Sequence, residues 1–93
     1  MAFFLISYDT HKVRRYQSFY DAMDEHGGVK LLESVYGIEL TNTAVEVRDW
    51  LKNDILDGDD SILVIPAARG KGFATQELSQ EAVSWINKAC KSK

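Results

Sequence analysis

One cysteine, one proline and no long apolar run set the first limits on this chain of 93 residues. Cys90 has no partner for an internal disulfide and no neighbouring cysteine for a zinc site. That fits a reducing compartment. No stretch approaches the ~18–20 apolar residues of a membrane span. The opening run from Ala2 to Ile6 is too short for a signal-peptide core and follows no basic leader. The expectation is a cytoplasmic protein with no membrane contact. An excess of basic charge is also missing: 11 Lys and Arg stand against 14 Asp and Glu, a net charge of −3. Any contact with nucleic acid must therefore come from a local basic patch. There is no serine- or cysteine-nucleophile constellation and no dinucleotide fingerprint. Arg69-Gly70-Lys71-Gly72 lacks P-loop spacing. The aspartates at 54, 57, 59 and 60 lack the EF-hand pattern and read as a solvated turn.

What is present is ordinary globular composition, 45% hydrophobic and 27% charged, in a length that makes one domain spanning residues 1–93. Ala2 to Tyr8 is β-prone and nearly all apolar, as suits a central strand. Asp9 or Thr10 can cap a helix running from His11 to His26, with Val13, Tyr16, Phe19, Tyr20 and Met23 on its apolar stripe. Gly27-Gly28 ends it. Val29 to Leu40 is again β-prone. It reads either as one bent strand or as two strands folding near Glu33-Ser34-Val35, since no Asn-Gly or Asp-Gly marks a turn. Thr43 to Glu46 is a capping box for a helix reaching about Leu56. Ser61 to Ile65 is a strand of the same near-continuous apolar character as the first, with Pro66 ending its hydrogen bonding. A loop and a last helix follow. That helix starts at Thr75 or Ser79, ends near Cys90 and carries Leu78, Ala82, Val83, Ile86 and Ala89 on one stripe. Trp50, Trp85 and the tyrosines fall on helical stripes and read as core or interface. With a hairpin in the middle, the order is β-α-β-β-α-β-α. This is the split βαβ, ferredoxin-like α+β plan, with a core of about 2–66 and an extra C-terminal helix. Two helices cover one sheet face; the last helix, a second subunit or both must cover the other.

Chemistry concentrates where the first strand ends. Asp9 sits there, either as a helix cap or as a carboxylate fixed on a rigid strand end. Lys12, Arg14 and Arg15 follow within six residues, suited to phosphates or simply to a solvated helix face. His11 is placed to act as an acid or base, or is an ordinary helix-start residue.

Ile6-Ser7-Tyr8-Asp9, Arg14-Arg15, Glu33 to Leu40 and Asp59 to Ile65 stand in an order that resembles the CRISPR-associated Cas-two family and its stand-alone SinR-like and VapD-like relatives. Gly37 and the Tyr16 to Tyr20 helix are more similar to the SinR-like branch. The resemblance covers roughly residues 2–66. It implies a ferredoxin-like homodimer that is a metal-dependent nuclease on RNA or DNA, or else the non-catalytic core of a DNA-integration complex. It maps the proposed metal ligand onto Asp9, with Mg²⁺ as the cofactor, and places a serine at Ser34. There Ser34 either bonds the hairpin backbone or orients a water near Asp9. Two features depart from the family: Thr10 replaces an aliphatic residue, and the chain beyond Pro66 reads as loop and helix rather than as a strand crossing to a partner. Three functions stay open: a Mg²⁺-dependent nuclease using Asp9, with Lys12, Arg14 and Arg15 on nucleic acid; a non-catalytic dimeric binding or assembly module; and a small toxin-like or regulatory protein acting through protein contacts.

Overall fold

The apolar run at the start of the chain becomes the second strand from one edge of a four-stranded antiparallel sheet in the computed structural model, which describes residues 2–9, 17–56, 60–68, 70 and 73–90. The elements are β1 (Ala2–Asp9), α1 (Gln17–Glu25), β2 (Val29–Leu32), β3 (Val35–Leu40), α2 (Ala44–Trp50), β4 (Ser61–Pro66) and α3 (Gln80–Cys90). The sheet order is β2-β3-β1-β4, which is the ferredoxin-like arrangement. Residues 29–40 form a hairpin that turns at Glu33 and Ser34, with a register irregularity between Lys30 and Leu32.

β1 has an interior position, so its two faces feed two cores. Phe4, Ile6 and Tyr8 point towards α1 and α2 and pack with Phe19, Met23, Tyr36, Ile38, Val47 and Leu51. Phe4, Ile6, Phe19, Met23, Ile38, Val47 and Leu51 are fully buried. Each contributes about 1.5–3 kcal/mol relative to staying exposed. On the other face Phe3 joins Leu31, Ala82, Trp85 and Ala89, with α3 laid over β2 and β3. Trp85 lies flat against Gly37, whose missing side chain makes the approach possible: a Cβ there would stand 2.6 Å from the indole. Near the far end of α3, Lys88 forms a largely exposed ion pair with Glu39 on β3 at 3.7 Å. Trp85, which the sequence places as core or interface, is buried in this second core.

Local signals act as chemistry requires. The Gly27 and Gly28 amides donate to Asp24 O (3.1 Å) and Met23 O (2.7 Å), and Gly27 takes φ +72°, a Schellman ending of α1. Thr43 Oγ1 accepts from the Glu46 amide (3.2 Å) and Glu46 Oε1 from the Thr43 amide (2.8 Å), the predicted capping box. Ser79, rather than Thr75, opens α3, its Oγ accepting from the Ala82 amide at 3.1 Å.

Three expectations need correction. The helix from Thr43 does not stay α-helical to Leu56: after Trp50 it loosens into a π turn, Leu51–Ile55, closed by the Leu56 amide donating to Leu51 O at 2.7 Å. This keeps Leu51 fully buried while Ile55 and Leu56 reach the helix-side core. Pro66 does not end the pairing of β4. The Ala67 amide donates to Phe3 O at 2.8 Å, because on an edge strand alternate amides point inwards and the missing donor of Pro66 falls on the outer side. β4 also lacks the two-sided cover of β1. Ile62 and Val64 reach the helix-side core, but Leu63 is 57% exposed and Ile65 44% exposed. Among the described residues, no helix is long and apolar enough to cross a membrane.

Candidate functional site

Asp9 is the last residue of β1, exposed, and paired with Ser61 of β4. The alternation of a strand puts it on the same sheet face as Phe3, Leu5 and Ser7. Across the ladder, Leu5 pairs with Ile65 and Ser7 with Leu63, so these two exposed β4 residues share that face with Asp9. The α3 layer covers β2 and β3, with Leu5 at the margin of its core, and leaves Leu63 and Ile65 open. Asp9 therefore stands at the end of an uncovered half-face whose floor is apolar.

Tyr8 shapes this corner. Its amide donates to Ser34 O and its hydroxyl to Glu33 O, both at 3.0 Å. These two bonds fasten the β2–β3 turn to the residue before Asp9 and bring Ser34 to the same end of the sheet. The phenol ring packs against Phe19 at 4.6 Å between centroids and lies near Tyr36 at 6.2 Å. Burial first, then the hydrogen bond and charge interaction with Tyr20, then Tyr36 and Glu33, raise the Tyr8 hydroxyl well above the ordinary phenol value. Burial, followed by Asp24 and Tyr20, raises that of Tyr36. Both stay neutral hydrogen-bonding groups at physiological pH. The sequence reading missed this clamp. The signal available was the alternation that turns Tyr8 towards the helices while its neighbours Ser7 and Asp9 face the other way.

His11, Lys12, Arg14 and Arg15 lie outside the described residues, as do Val13, Tyr16 and most of the Arg69 to Gly72 loop. Asp9 and Ser34 are thus the predicted site residues that the structure brings to one corner. Among the described residues, no three His, Cys, Asp or Glu side chains cluster as a metal site. Asp9 supplies a strand-end carboxylate here. Such a donor suits a hard cation that keeps most of its water, and a fuller ligand set needs a second copy of Asp9.

No curated protein and no solved structure matched the chain significantly. The model of one family does match, that described as CRISPR associated protein Cas2, over residues 1–72. The matched stretch takes in the whole four-stranded sheet, the corner at Asp9 and both helices of the first layer. The chain belongs to the Cas2 family of CRISPR-associated proteins, and that membership supports a role in nucleic-acid processing.

Proposed function

We propose that the protein acts as a two-fold homodimer that cleaves RNA or DNA, with Asp9 of each copy contributing to one Mg²⁺ site. The observation that supports this reading is the uncovered half-face: Leu63 and Ile65 expose 57% and 44% of their surface beside Asp9. Apolar side chains left open on an edge strand favour association. A two-fold axis through this face would bring the same patch of each copy together and draw the two carboxylates towards each other. Mg²⁺ bound there would supply an activated water for attack on a phosphodiester. In this reading Asp9 holds the ion, Lys12, Arg14 and Arg15 hold phosphates, Ser34 orients water, and His11 serves as acid or base. Tyr8 keeps the turn and the strand end in register.

That no three metal-ligating side chains cluster among the described residues favours a second reading, a dimeric nucleic-acid-binding or assembly module of the same shape without cleavage. One experiment separates the two. The purified protein, Asp9→Asn and Leu63→Lys are incubated with RNA and with duplex DNA in Mg²⁺ or Mn²⁺, with light scattering on each. The nuclease reading expects a dimeric, active wild type, a dimeric but inactive Asp9→Asn, and a monomeric Leu63→Lys of much reduced activity. Equal cleavage by wild type and Asp9→Asn removes Asp9 from the chemistry. Binding without cleavage by any form selects the second reading.

A further inference from the structure

At the opposite end of the sheet from Asp9, a cavity of about 280 Å³ opens between the end of α1, the end of β3 and the first two turns of α2. His26, Leu40, Asn42, Glu46, Val47 and Trp50 line it. Leu40 pairs with Ala2, seven residues before Asp9. At ~3.3 Å per residue the two places are about 23 Å apart, so the cavity is a separate site. Its size is at the small end of ligand pockets and fits a single ring system better than a larger ligand.

The lining carries more chemistry than a packing gap needs. Leu40 and Val47 supply an apolar floor. Trp50 is half-buried, and the ring of His26 stands edge-on to it at 5.0 Å and 84°. Glu46 Oε1 is occupied in part by the Thr43 amide (2.8 Å), which fixes the carboxylate at the pocket rim. A carboxylate has about four acceptor positions, and this bond takes one. Asn42 adds an amide with both donors and an acceptor. Among the described residues, no Lys or Arg lines the pocket, and the Glu46 carboxylate repels anions, so the lining favours a neutral ring over a phosphate. A planar ring with two adjacent N–H donors and a neighbouring carbonyl matches every element of this lining.

We propose that this cavity binds a guanine base. The base stacks on Trp50, its N1–H and exocyclic amine donate to the Glu46 carboxylate, and its O6 accepts from the Asn42 amide. Adenine has no such donor pair, and hypoxanthine lacks the exocyclic amine. A free guanine nucleotide and an unpaired guanine in a single strand present the same base, and the chemistry of recognition is the same. This site does not depend on cleavage at Asp9, and failure of either claim leaves the other standing.

The test is amide and indole NMR of the full chain titrated with GMP, IMP and AMP, which share one phosphate. Guanine-free single strands and strands with one unpaired guanine form a second arm. GMP is expected to shift the Trp50 indole and Asn42 side-chain signals, with IMP and AMP each at least tenfold weaker. Glu46→Gln keeps the capping box, since glutamine serves at that position, and is expected to lose tenfold or more of GMP affinity without a change in thermal stability. A response to the guanine-bearing strand but not to GMP assigns the base to a strand; the converse assigns it to the free nucleotide. Equal shifts with GMP and AMP, shifts that map elsewhere, or unchanged affinity in Glu46→Gln would overturn the proposal. So would tighter binding of an arginine side-chain analogue than of GMP, which would mark the cavity as a cation cage.

Discussion

Replacing Gly37 with alanine puts a methyl group where Trp85 now lies. The added carbon would meet three indole atoms at 2.6–2.7 Å. Carbon atoms rest at ~3.5–4.0 Å, so the ring must retreat by about 1 Å. Trp85 has little room to do so alone, because it is buried and packed edge-on to Phe3 at 5.7 Å. Overpacking of this kind costs about 1–3 kcal/mol. For a domain of this size each kcal/mol lowers Tm by ~4–8 °C, so Gly37→Ala is expected to melt roughly 5–20 °C lower. With the indole gone, the sign reverses: in a Trp85→Leu background the alanine is expected to stabilise by ~0.5–1 kcal/mol, because glycine inside a strand loses more chain entropy. Urea unfolding followed by far-UV circular dichroism, on the wild type, both single variants and the double variant, measures the coupling. A coupling of ~1.5–4 kcal/mol is expected. A Gly37→Ala variant as stable as the wild type, or additive effects in the cycle, would refute the packing of α3 on β3. It would also remove the reason why the β1–β4 half of that face stays open.

Further predictions concern the caps and the tyrosines. Thr43→Ala is expected to destabilise by about 1 kcal/mol in the same urea assay, through loss of the bond from the Glu46 amide; no change would mean that α2 is held by packing alone. The raised Tyr8 and Tyr36 hydroxyls mean that the folded state holds those protons more tightly than the unfolded chain, whose phenols titrate near pH ~10. Their contribution is therefore complete below about pH 10 and is lost as pH rises beyond it. Tyrosinate absorbance should show late-titrating components that disappear in Tyr8→Phe and Tyr36→Phe. Titration of both groups near pH ~10 with the protein still folded would contradict their burial.

The fold was largely legible because its signals are local. A near-continuous apolar run marked β1, the Thr43 and Glu46 pair marked α2, and Gly27-Gly28 marked the end of α1. No turn dipeptide marks the hairpin at Glu33 and Ser34, because its turn is fastened from a distance, by Tyr8. Apolar character in β4 could not tell a covered strand from a half-covered one, since that depends on where α3 settles, and α3 settles where Gly37 admits Trp85. Asp9 was legible as a strand-end carboxylate. Its placement beside Leu63 and Ile65 follows from the ladder register, which no local pattern encodes. The cavity at Trp50 is assembled from three segments and leaves no signature in any one of them.

The most direct measurement is the Asp9–Asp9 separation in a crystal structure of the protein grown with Mg²⁺. Because Mg–O bonds are about 2.1 Å, a shared ion predicts a two-fold dimer in which carboxylate oxygens of the two copies lie within ~5 Å of each other, with Leu63 and Ile65 buried alongside. A monomer, or carboxylates more than ~10 Å apart, would contradict the account.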